Sequence, residues 1–148
     1  MLFPPTTRFI TGAVVCVSVF ACAGPFDFPE PDLVPEATAG IDGPVGFCTR
    51  DANGLTVRVR NQTNNDVFVQ TTTRVTFLPS NIVVDRTTAA MPGGSFADAG
   101  PFPIPGSCFN PDCSFKIEVD ATDLVDESHG SGPDNHETNN MALGRCIG

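Results

Sequence analysis

At 148 residues the chain can bury one ordinary core and is too short for two comfortable domains. It carries 17 Asp and Glu against 8 Lys and Arg, for a formal net charge of −9. With no basic cluster to meet a phosphate backbone, nucleic acid is excluded as a partner. The acid excess favours solubility and gathers cations, but it does not specify a fold.

Residues 1–21 are expected to be an export signal. Arg8 is the only charge before the apolar run "FITGAVVCVSVFACAG", which is too short to span a bilayer and ends in small residues. Two cleavage schemes fit. One cuts after Ala21-Cys22-Ala23, giving free secretion. The other cuts before Cys22 and places lipid on its thiol, because Val19-Phe20-Ala21-Cys22 resembles a bacterial lipobox. The lipoprotein reading is preferred, and Ala23 in place of an acid after Cys22 resembles the outer-membrane sorting case. The expected location is therefore extracytoplasmic, as an outer-membrane or cell-surface lipoprotein, or otherwise secreted. Residues 22–44 read as a disordered linker, since the stretch from Gly24 to Gly46 holds five prolines, five acids and no basic residue.

From residue 45 to 148 the pattern becomes short alternating runs. "VGFCTR" and "LTVRVRN" flank the turn "DANG" as a hairpin, with Leu55, Val57 and Val59 on one face and Thr56, Arg58 and Arg60 on the other. "VFVQTTTRVTFL", "NIVVDRT", "GSFADAGPF" after "MPGG", "SFKIEVDA" and "NMALGRCIG" follow. In "SFKIEVDA", Phe115, Ile117 and Val119 point inward. No run has a sustained helical period. About seven short strands separated by turns predict an immunoglobulin-like antiparallel β-sandwich, with a small barrel as the alternative. The chain has no Trp or Tyr, so the core is expected to be Phe, Val, Leu and Ile.

Once the leader is removed, Cys48, Cys108, Cys113 and Cys146 remain, and an exported chain is expected to form two disulfides from them. Four cysteines allow three pairings. The Pro-bearing turn "FNPD" favours Cys108 with Cys113, which leaves Cys48 with Cys146 to tie the first strand to the last. A zinc site is disfavoured, because only one pair has close spacing.

The order "PDLV" (Pro31 to Val34), "LTVRVRNQT", "TTTRVTF", "MPGGS", and "FKIEVDATDLVDES" leading to "ETNNMALG" resembles the CARDB domain. That name denotes the cell-adhesion-related domain found in bacteria, an immunoglobulin-like sandwich of surface and secreted proteins. The resemblance covers nearly everything after the leader. It implies a non-catalytic module associated with adhesion or surface display. The chain departs from the family pattern in "HGSGPDNH", between Ser128 and Glu137.

That departure lies within Asp126 to Asn140, the richest stretch in polar chemistry. His129 and His136 sit among Gly130, Gly132 and Pro133, so no helix aligns them, and neither H-E-x-x-H nor a calcium-loop pattern occurs. Asp126, Glu127, Asp134 and Glu137 form a candidate set for weak calcium binding; the competing reading is a solvated loop tip. No other cofactor is expected. Asn139 and Asn140 fit the close of a hairpin loop. Without a G-x-S-x-G elbow, no enzyme is expected. A glycan-binding module is the rival, with Phe26, Phe28, Phe102 or Phe109 as exposed rings. A structural spacer or assembly subunit pairing edge to edge is a further alternative. Arg58, Arg60 and Arg74 are candidates for a basic stripe on neighbouring strands. The expected partners are a protein or cell-surface ligand and, through the lipid, a membrane.

Overall fold

The computed structural model describes residues 30–40, 43–127 and 138–148. Its strands are β1 (Leu33–Glu36), β2 (Thr38–Gly40), β3 (Gly43–Gly46), β4 (Thr49–Asp51), β5 (Gly54–Asn61), β6 (Thr71–Leu78), β7 (Ile82–Thr88), β8 (Phe96–Phe102), β9 (Cys113–Glu118) and β10 (Met141–Cys146). Between β8 and β9 lies a 3-10 turn, Gly106–Cys108.

Period-two alternation is what makes these segments half-buried strands. Leu55, Val57 and Val59 on β5, Val75 and Phe77 on β6, and Phe115 and Ile117 on β9 are all buried, while the residues between them are half-exposed. Side chains of this size stabilise by about 1.5–3 kcal/mol each when fully buried. The two sheets meet across this apolar layer, where the Phe77 and Phe115 rings pack edge to face with centroids 6.2 Å apart.

In the first sheet β5 is central. β8 pairs along one side of it, while β1 and β4 follow one another along the other. The second sheet has the order β10-β9-β6-β7, and every pairing in both sheets is antiparallel. An edge strand split in two beside β5, β8 on the other side of β5, and an opposed four-stranded sheet containing the last two strands make an immunoglobulin-like sandwich. The turn at Ala52 and Asn53 closes the β4–β5 hairpin, with Asp51 opposite Gly54. Gly54 has φ +137°, and a Cβ there would lie 2.2 Å from the Phe102 carbonyl oxygen, so only glycine fits.

The segment read as a linker through residue 44 is corrected at its centre. Leu33 and Val34 are buried, and β1 pairs with β5 from Leu33 opposite Asn61 to Glu36 opposite Arg58. Prolines and acids dominate that composition, but two adjacent apolar residues suffice to seat an edge strand, and an edge tolerates Pro35. β2 and β3 form a small hairpin that interrupts the same edge.

Candidate functional site

At one end of the sandwich β5, β7 and β9 finish and β1, β6, β8 and β10 begin. We call this end the loop pole. Its described connections are residues 30–32, 62–70, 89–95, 119–127 and 138–140.

The pole is organised around Asn61, the buried last residue of β5. Its Nδ2 donates to the Asn65 carbonyl at 2.6 Å, and its Oδ1 accepts from the Thr63 N–H at 3.3 Å and the Thr63 hydroxyl at 3.2 Å. The Asp32 carbonyl accepts from the Gln62 N–H at 2.8 Å, and Asp32 Oδ1 accepts from Asn139 Nδ2 at 3.0 Å. Glu127 is fully buried, and its Oε2 accepts the Leu33 N–H at 3.0 Å. Asp120 has φ +46°, and its Oδ2 accepts the N–H groups of Leu124 at 3.0 Å and Val125 at 2.7 Å. Asn61, Glu127 and Asp120 thereby satisfy backbone groups that have no ladder partner, while Asp32 and Asn139 join two connections side chain to side chain.

Loops 62–70 and 89–95 are pressed together. Val67 and Met91 exchange N–H to carbonyl bonds of 2.8 and 3.0 Å, and the Gly93 N–H donates to Asp66 Oδ1 at 2.9 Å. A Cβ on Gly93 would sit 2.1 Å from the Asn64 carbonyl carbon, so this approach requires glycine. The same scaffold holds apolar side chains in solvent: Phe68 is 85% exposed, Leu124 58% and Val69 46%. Beside Phe68 lies an open depression of about 250 Å³, lined by Asp66, Val67, Phe68, Ala90, Met91 and Pro92.

Of the four carboxylates expected as calcium ligands, Asp126 is exposed and Glu127 is buried against the Leu33 backbone. Glu127 is therefore a structural acceptor and no part of a solvated tip. Asp134 and Glu137 lie outside the described residues, as do His129, His136 and Cys22. Among the described residues no group of three or more His, Cys, Asp or Glu converges as a metal site. The cysteines join as Cys48 to Cys146, with S–S 2.00 Å, and Cys108 to Cys113, with S–S 1.97 Å.

The expected basic stripe is divided between two faces. Arg58 and Arg60 stand on β5 and Arg74 on β6, strands of opposite sheets. Each also has an acid: Arg58 bonds Asp98 at 2.9 and 3.3 Å, Arg60 bonds Glu36 at 3.2 Å, and Arg74 bonds Asp85 twice at 2.8 Å. Hydrogen bonds from Arg74 hold the Asp85 carboxyl below its ordinary value, and the bonds to Asp98 raise the Arg58 guanidinium. Arg58 also lies over the Phe96 ring, 4.1 Å from its centroid. Of the rings expected outside, Phe102 is buried and Phe109 is half-buried, while Phe26 and Phe28 lie outside the described residues. Sequence reasoning missed Phe68, although alternation about Val67 in "DVFV" already turns it away from the core.

No family model matches the chain, and no curated protein matches it. Among solved structures, it is similar to the CARDB domain of a Pyrococcus furiosus protein determined in complex with di-metal ions. The TM-score is 0.48 and the identity 16%, covering 81% of this chain and 94% of that one. It is also similar to a domain, residues 272–376, of a protein described as a cell surface protein from Methanosarcina acetivorans. There the TM-score is 0.45 and the identity 21%, covering 77% of this chain and 91% of that one. By its own strand order the chain is an immunoglobulin-like β-sandwich, and a CARDB domain stands among the solved domains it is similar to.

Proposed function

We propose that the protein is an exported surface module that binds a partner, is held to the membrane by lipid on Cys22, and has no chemistry of its own. The observation that carries this reading is how the acidic and amide groups of the loop pole are engaged. Glu127, Asp32, Asn61 and Asp120 are buried; Glu127, Asn61 and Asp120 bind backbone groups of β1 and the pole's loops, and the Asp32 carboxylate accepts from the Asn139 side chain. A catalytic carboxylate has to reach a substrate, whereas these hold loops in place, as a recognition surface requires. The two disulfides support export, since such bonds persist in oxidising compartments. The lipobox resemblance at Val19 to Cys22 supports the anchor.

Intact mass of the protein extracted from its native membrane tests the reading. The expected species begins at Cys22, carries acyl chains and lacks four thiol protons, and Cys22→Ser releases the protein from the membrane fraction. An unmodified Cys22 on a chain that still has its leader overturns the proposal.

A further inference from the structure

The loop pole combines exposed apolar side chains with a one-sided charge. Its connections contain Asp66, Asp123 and Asp126 at the surface and Asp32, Asp120 and Glu127 beneath, but residues 30–32, 62–70, 89–95, 119–127 and 138–140 include no Lys or Arg. At the opposite end, by contrast, Arg145 meets Asp112 at 3.5 Å and Arg50 donates to the Ile147 carbonyl at 2.6 Å. The acidic pole repels anionic lipid headgroups and nucleic acid alike, so the chemistry that complements it is a cation.

The chain itself shows which cation suits such a pair of side chains. On β8, Phe96 and Asp98 stand two residues apart on the outer face, and Arg58 lies over the ring while bonding the carboxylate. Asp66 and Phe68 repeat that spacing on either side of buried Val67, and both are exposed. Among the described residues no cation lies over the Phe68 ring, and Asp66 makes no ion pair. Val69 follows directly. The loop holding Leu124 is tied to the start of β6 by the Ala121 N–H to Thr72 carbonyl bond of 2.8 Å.

We propose that the loop pole docks an arginine side chain of a protein partner, with the guanidinium over Phe68 and paired to Asp66. Val69 and Leu124 provide apolar contact for the residues flanking that arginine. This deepens the reading of the protein as a surface binding module and rests on it. Arginine is favoured over lysine because a planar guanidinium stacks on a ring and bonds a carboxylate at once.

The test is an NMR titration of the isotope-labelled full chain with three blocked peptides, Leu-Arg-Leu, Leu-Lys-Leu and Leu-citrulline-Leu. Saturable shifts confined to residues around 66–69, 91–93 and 121–125 are expected for the arginine peptide, with weaker binding of lysine and still weaker binding of citrulline. Phe68→Ser, at a side chain that packs on nothing the core needs, and Asp66→Asn should each weaken the arginine peptide by about threefold to tenfold. Unsaturable shifts spread over the surface, equal binding of citrulline, or indifference to Phe68→Ser overturns the proposal. So does binding to phosphatidylglycerol vesicles with no response to the arginine peptide. The lipid and mass on Cys22 are read separately, so failure here leaves the anchored-module reading standing, and failure there leaves the pole intact.

Discussion

Glu127 carries a carboxylate into a site with no solvent exposure, where its Oε2 accepts the first N–H of β1 at 3.0 Å. Leu33 lies beside Asn61 at the outer side of the first sheet, so no further strand offers its amide an acceptor. Removing the acceptor leaves a buried donor unsatisfied, which costs about 1–3 kcal/mol. Glu127→Ala is therefore expected to lower unfolding free energy by about that amount, with loss of hydrogen-exchange protection at the Leu33 amide. Glu127→Gln retains a carbonyl acceptor and should lose less than half as much. Equal losses in the two variants would place Glu127's contribution in its charge and not in this bond. None of this was readable from the composition of "DLVDES", which suggests solvent for every acid; the burial of one of them is set by a chain segment 94 residues away.

At the scale of strands, legibility followed from alternation. β5, β6 and β9 are stated by Leu55-Val57-Val59, Val75-Phe77 and Phe115-Ile117, because one buried face imposes a period of two on the residues themselves. β1 was hidden because its four residues are too few to show a period and are surrounded by Pro and acid. The "PDLV" resemblance pointed to it while the composition pointed away. A close approach such as that at Gly144 of β10 is equally invisible in sequence. Gly144 stands opposite Phe115, and a Cβ there would lie 2.3 Å from Phe115 Cε2. The ring covers the glycine and fills the space between β9 and β10. Gly144→Ala must push the ring or the strand aside, at an expected loss of about 1–3 kcal/mol in denaturant unfolding. Phe115→Leu vacates part of that space. The double variant should therefore lose less than the sum of the two single ones, and strict additivity would show that ring and glycine do not compete.

The whole molecule is fastened differently at its two ends. The loop pole is held by hydrogen bonds from Asn61, Asp32, Asp120 and Glu127, whereas both covalent bridges lie toward the other end, where Cys146 stands opposite Cys113 in the β9–β10 pairing. Cys48 belongs to the edge leading into β4 and Cys146 ends β10, so their bond ties the first sheet to the second across a sequence separation of 98. Cys108 and Cys113 close a separation of 5 within a single connection. If chain entropy governs, the long closure contributes about 4–5 kcal/mol and the short one about 2 kcal/mol. Urea unfolding of Cys48→Ser with Cys146→Ser is thus expected to show roughly twice the loss seen for Cys108→Ser with Cys113→Ser. Amides of β4 and the end of β10 should lose exchange protection before those of loops 62–70 and 119–127, because the polar network of the loop pole does not depend on either bridge. If the pole melts together with the long disulfide, the sandwich is a single cooperative unit and the loop pole is only as durable as its oxidation state.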